Sequence, residues 1–185
     1  NMSVDRKGDV TVKALATPEL VAVGIGVAVS IARGSSGSAV GVSFAGSVGV
    51  NLVNHTVTAA VRRDESSTVA LRSDGKVSVE AKDETGMTGI AGAFALGIGL
   101  SGQSTAAAAA VGVAIAVNEY GVGDRSKTEA SIDRIAVTAG TGIDVTATFN
   151  ARILGVGVSL GASGARGKGL SIALTGAGAG VYNTV

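Results

Sequence analysis

The chain is 185 residues long, carries a formal net charge of +1, and contains 29 Gly, one Pro, no Cys, no Trp, three Phe and two Tyr. So small a charge gives no electrostatic hold on a nucleic acid or an anionic membrane, and the missing cysteines remove disulfides and thiolate metal sites. A hydrophobic content of 46% excludes a disordered chain, and the absence of a Gly-X-Y period excludes collagen.

The N-terminal run Asn1-Met2-Ser3-Val4-Asp5-Arg6-Lys7 has no apolar segment and is not a signal peptide, so the chain reads as cut from something longer. Residues 9–14 alternate apolar and polar, which predicts a half-exposed strand, and Pro18 marks a corner. From 21 to 31 the alternation is unbroken: Val21, Val23, Ile25, Val27, Val29 and Ile31 on one side, Ala22, Gly24, Gly26, Ala28 and Ser30 on the other. That is a strand with one bulky and one nearly bare face, because a helix would scatter the β-branched residues around its circumference.

Residues 33–38 (Arg-Gly-Ser-Ser-Gly-Ser) predict a turn. Beyond it Val40, Val42, Phe44, Val48, Val50 and Leu52 alternate with Ala39, Gly41, Ser43, Ala45, Ser47 and Gly49, and the pattern runs on to Val61. A charged bend at 62–65, a short strand at 68–71 and a turn at 73–75 follow. A second unit then repeats the plan: an opening strand at 75–81, a bend at 82–86, and a bulky row of Ile90, Phe94, Leu96, Ile98 and Leu100. A corner at 101–104 leads to Val111, Val113, Ile115 and Val117. The charged bend 121–127 and short strands across 130–139 lead into a third unit, with Leu154, Val156, Val158 and Leu160, a turn at 162–169, then Leu170, Ile172 and Leu174.

The units share phrases at a steady spacing. Gly8-Asp9-Val10-Thr11-Val12-Lys13-Ala14 returns as Gly75-Lys76-Val77-Ser78-Val79-Glu80-Ala81 and again near Asp144-Val145-Thr146. Val53-Asn54, Val117-Asn118 and Tyr182-Asn183 close the units at spacings of 64 and 65. Such a period predicts a repeat architecture in which each unit completes its core only by stacking on the next. The expected fold is all-β: a parallel β-solenoid of about three unequal coils (8–74, 75–141, 142–185) in a single repeat domain, with strands stacked about 4.8 Å apart. The bulky faces of two opposed long sheets are expected to form the dry interior, with the Gly/Ala/Ser faces flat and able to lie close against the short-strand sheet or another surface. Antiparallel hairpins are the competing arrangement, since the corners at 33–38 and 101–104 are short enough for them. The distances from Gly24 to Gly97 (73) and from Gly97 to Gly155 (58) suggest insertions between coils.

The phrases at 8–14, 48–59 (Val-Gly-Val-Asn-Leu-Val-Asn-His-Thr-Val-Thr-Ala) and 111–118 (Val-Gly-Val-Ala-Ile-Ala-Val-Asn) resemble the repeats of giant bacterial surface adhesins, of the filamentous-haemagglutinin-like and leukotoxin type. The resemblance extends over essentially the whole chain through degenerate motifs. It implies a secreted or cell-surface β-helix acting as a stalk, fibre or adhesive surface, and it brings no catalytic residues.

Candidate chemistry is sparse. Gly97-Ile98-Gly99-Leu100-Ser101-Gly102 spells a dinucleotide fingerprint, but a strand runs through the glycines where a helix should open. Residues 164–168 fail as a phosphate loop, because Ala162 stands where Gly is required and Gly169 where Ser or Thr is required. His55 is the sole histidine and reads as a surface or ladder residue; a metal site or a triad needs partners converging on it. Asn54-His55-Thr56 spells a glycosylation sequon that carries little weight in a bacterial protein. The acidic bends (Asp5, Asp9, Asp64-Glu65, Asp83-Glu84, Asp124, Asp133) lack a calcium-loop pattern and read as solvated corners. Asn54, Asn118 and Asn183 are expected to stack as an amide ladder.

No catalytic, cofactor-binding or metal-binding residue is therefore assigned, and no cofactor. The expected function is non-enzymatic: a structural or adhesive solenoid segment, extracellular or on the cell surface, able to assemble into filaments. The expected partners are further copies of itself, end to end or laterally, and a host or neighbouring-cell surface, with no nucleic acid. Two alternatives come from other classes. One is a membrane-inserting Gly/Ala-rich hairpin, suggested by the uncharged stretches 34–61 and 85–118 and opposed by their period-two alternation and the charged bends between them. The other is an ice- or glycan-binding solenoid, which would need a ladder of Thr or aromatics. A polysaccharide-active enzyme would need acids or bases on a sheet face, and 21–31, 39–53 and 90–117 carry no charge.

Overall fold

A computed structural model describes residues 2–123 and 126–185, without the side chains of Met2 and Ser3. The first coil runs β1 (Met2–Arg6), β2 (Val10–Ala16), β3 (Glu19–Gly34), β4 (Ala39–Val53) and β5 (Thr56–Arg62). The second runs β6 (Val69–Ser73), β7 (Lys76–Asp83), β8 (Gly86–Ser101), β9 (Ala106–Tyr120) and β10 (Lys127–Asp133). The third runs β11 (Ala136–Ala139), β12 (Gly142–Phe149), β13 (Arg152–Arg166) and β14 (Ser171–Thr184).

Equivalent strands stack in parallel into five sheets: sheet 1 (β1-β6-β11), sheet 2 (β2-β7-β12), sheet 3 (β3-β8-β13), sheet 4 (β4-β9-β14) and sheet 5 (β5-β10). The fold is thus a parallel β-solenoid. The antiparallel alternative fails at the corners. The chain does fold back after β3 and β8, but the flanking strands enter different sheets and bond to neighbouring coils, as Gly102 N does to Gly34 O and Ala39 N to Thr105 O.

The coils are unequal by less than the glycine spacing suggests. Val10 pairs with Val77 and Gly24 with Ala91, whereas Gly97 pairs with Ser30 and Ser163. The glycines at 24, 97 and 155 are not register equivalents. The clearest length differences lie in the bends on either side of sheet 5: the bend after β9 is longer than its counterpart after β4, so that His55 contacts Ser126 from 71 residues away, and the bend after β10 is shorter than its counterpart after β5. The third turn is also shorter than read, because β13 continues to Arg166.

Sheets 3 and 4 form a long two-layer blade, and sheets 2 and 5 close a smaller core beside it. That smaller core holds Val57, Ala59, Val79 and Ala81, flanked by Val12, Val61 and Ile132. Met87, Val53 and Tyr120 plug the junction, with Leu20 and Ile153 against them.

Inside the blade the expected polarity is reversed. Ala91, Ala93, Ala95, Ala110, Ala114 and Ala116 form the buried interior, while the bulky rows lie outside: Ile25 is 74% exposed and Phe44 69%. The cause is parity. Successive strand residues alternate faces, so an uninterrupted strand carries one assignment along its whole length. Leu20, Met87, Ile153, Val53 and Tyr120 must point inward to fill the junction, and they share parity with the glycines and alanines. The charged residues Glu19, Arg33, Arg152 and Arg166 share parity with the bulky rows and need water. Once the ends are set, Val21 to Ile31 have no choice but to face out.

Candidate functional surface

Two features stand apart from the scaffold. The first is the pair of outward blade faces. On sheet 3 the first coil presents Val21, Val23, Ile25, Val27, Val29 and Ile31; Ile90, Phe94, Leu154, Val156, Val158 and Leu160 continue the face above. Sheet 4 presents Val40, Val42, Phe44, Val48, Val50 and Leu52, joined by Val113, Ile115, Leu174 and Tyr182. Charges on these faces occur only at strand ends. Three strands about 4.8 Å apart over a band of ten residues at about 3.3 Å each give on the order of 500 Å² per face. A soluble monomer seldom leaves one apolar patch of that size bare, and this chain has two.

The second feature is polar, buried at Asn51 and Asn118 and exposed at its Asn183 end. Asn51, Asn118 and Asn183 occupy matched positions in β4, β9 and β14. Asn51 Nδ2 donates to Asn118 Oδ1 at 2.8 Å, and Asn118 Nδ2 donates to Asn183 Oδ1 at 2.8 Å. The remaining amide hydrogens reach across the blade to the carbonyls of Thr88 (2.9 Å) and Leu154 (3.3 Å). Gly89 makes room, since a Cβ there would lie 2.8 Å from Asn118 Oδ1. The expected ladder exists, with one member corrected: Asn54 is exposed in the corner after β4, and Asn51 takes its place. The phrase Val-Asn misled; the inward parity of Asn51, shared with Gly49 and Val53, was the available signal.

Asp83 is a second correction. It is fully buried rather than solvated. Its Oδ1 accepts from Thr85 Oγ1 (2.6 Å) and its Oδ2 from Tyr120 Oη (2.5 Å). His55 Nε2 lies 2.9 Å from Oδ2, within ion-pair range but off the hydrogen-bond line. The Tyr120 ring meets His55 edge-on at 5.6 Å and Phe149 at 4.8 Å. Burial, then the bond to Asp83 and its charge, push the Tyr120 phenol up to about 12. The register partners of Asp83 are Ala16 and Phe149, so this cluster belongs to the middle coil alone. It satisfies a buried carboxylate.

Of the other acids, Glu65 and Glu84 sit in bends, whereas Asp5, Glu80 and Asp133 lie in β1, β7 and β10. Glu65 pairs with Arg134 (2.6 Å), Glu84 with Lys82 (2.7 Å) and Glu80 with Lys13 (3.2 Å). Asp9 Oδ1 accepts from the Lys76 backbone N at 2.7 Å. Asp124 lies outside the described residues. Among the described residues, no group of three or more His, Asp or Glu is placed to hold a metal ion. The glycines at 97 and 99 lie within β8, as the strand reading of that fingerprint expects. Among the described residues no helix is long and apolar enough to cross a membrane. No family model matches the chain, and neither does any curated protein or solved structure.

Proposed function

We propose that the chain is a non-enzymatic structural segment of a secreted or cell-surface bacterial fibre, a solenoid stalk that lengthens by continuing its own stack. The supporting observation is the pair of matched, unpaired strand edges. β3 and β4 on one side and β13 and β14 on the other bond only inward, to β8 and β9. Long edges of this kind template further pairing. Ile143 and Val145, register partners of the fully buried Val77 and Val79, stand about half exposed, and another coil stacked on β12 would cover them. The outer faces then supply the adhesive surface. An ice- or glycan-binding surface would need ranks of Thr or aromatics, and the outward rows are Val, Ile and Leu.

Electron microscopy and fibre diffraction of the purified chain test the reading. Filaments with a meridional reflection near about 4.8 Å are expected. Compact, monodisperse particles at every concentration would sink it, and so would turnover of an uronate polymer.

A further inference from the structure

We propose that the outward apolar face of sheet 3 is a contact surface for the same face of a second copy of this chain. The parity that buries Gly and Ala leaves the six side chains from Val21 to Ile31 each more than half exposed, on a face with no charge inside the band. Glu19, Arg33, Arg152 and Arg166 lie at its ends, so covering the face traps no ion and leaves all four at a wet rim. Two such faces together remove on the order of 1,000 Å² from water, the scale at which a specific interface begins. Apolar sheet faces are also what packs at about 10 Å in a sandwich, so the blade pair would be an ordinary sheet-on-sheet contact.

Sheet 3 is a better match to itself than sheet 4 is. The β3 row is unbroken and sheet 3 has outward glycines only at Gly92 in β8 and Gly164 in β13 inside the band, whereas the outward row of β4 is interrupted by Gly46 and that of β14 by three in succession, Gly176, Gly178 and Gly180, which leaves a notch. A two-fold pairing of one face with itself closes at a dimer.

Lipid is the competing occupant. The band from Val21 to Ile31 spans about 33 Å at 3.3 Å per residue, close to the roughly 30 Å of bilayer hydrocarbon. The vesicle arm of the test separates the two occupants.

Sedimentation of the wild-type chain, Val27→Lys on sheet 3 and Val48→Lys on sheet 4, with flotation on phosphatidylcholine vesicles, tests the proposal. The wild type should self-associate at micromolar concentration. Val27→Lys should raise the dissociation constant about a hundredfold or more, with the circular dichroism unchanged, and Val48→Lys should leave it within about twofold. Should the lysine variant fail to fold, Ile25→Cys keeps an apolar side chain beside the strand midpoint and should form an intermolecular disulfide under oxidation. A wild type that is monomeric throughout, dissociation by Val48→Lys instead, no disulfide from Ile25→Cys, or binding to vesicles by a chain monomeric in buffer would each overturn the proposal. End-on stacking is a separate matter: filaments of Val27→Lys should keep the axial repeat and lose only their lateral pairing.

Discussion

Gly24 and Val48 lie so close across the blade that a Cβ on Gly24 would sit 2.7 Å from the Val48 carbonyl oxygen. Sheets 3 and 4 are in backbone contact here, and the same holds at Gly26 against Gly46, Gly41 against Ile98 and Gly97 against Ala109. Ordinary face-to-face sheets leave room for side chains between them; this pair leaves room for almost none.

The first prediction follows from that contact. Gly26→Ala places a methyl group into the Gly46 carbonyl and should destabilise the fold by about 2–3 kcal/mol, since backbone on both sides must shift. Gly178→Ala, where nothing lies within 4 Å of the added carbon, should be neutral or stabilising by up to about 1 kcal/mol. Urea denaturation of the two variants separates the cases, and equal losses would mean that the close approach is not what holds the sheets.

The amide ladder makes an asymmetric prediction. Asn118 is fully buried and bonded on both sides, so Asn118→Leu strands the polar groups of Asn51 and Asn183 and should cost about 2–4 kcal/mol. Asn183 ends the ladder on an exposed strand, and Asn183→Leu should cost about 1 kcal/mol or less. Thermal unfolding of the pair provides the comparison.

Asp83→Ala removes the acceptor shared by Thr85 and Tyr120 and the partner of His55. A loss of about 2–4 kcal/mol is expected, because two buried hydroxyls lose their partner together. Glu80→Ala, which breaks only the exposed pair with Lys13, should change stability by about 0.5 kcal/mol or less. Denaturation midpoints at neutral pH decide between them.

Tyr120 gives the protein an alkaline limit. Its phenol is raised from 10.0 to about 12, so between those values the folded chain binds more protons than the unfolded chain. Stability from this group is complete below pH 10 and is lost as pH rises towards 12. Tyr120→Phe should lower Tm at neutral pH through the lost bond to Asp83, and should fall less steeply than the wild type over that window. Lys76 and Lys82, held up chiefly by hydrogen bonds to Asp144 and Glu84, titrate in both proteins and cancel in the difference.

Much of this fold was legible in the chain. Alternation from Val21 to Ile31 marked the long strands, Gly/Ser clusters marked the turns at 33–38 and 101–104, and the return of Gly8-Asp9-Val10 as Gly75-Lys76-Val77 favoured stacking over antiparallel hairpins. These are local properties: a period of two, a turn composition, a spacing. Which face of each strand lies inward is not local. Alternation is the same pattern whichever side is buried, and the larger transfer energy of Val and Ile argues for the wrong one.

Tertiary structure decided it through a few residues at the strand ends. Met87, Tyr120, Leu20 and Val53 fill the junction, Glu19 and Arg33 keep to water, and parity carries both demands along the blade. The same parity moved the ladder from Asn54 to Asn51 and hid Asp83. The sequence by itself determined where the chain is straight, where it bends and how often it repeats. Only packing across coils decided inside from outside, because that choice is made once for a whole strand by the ends that must fit.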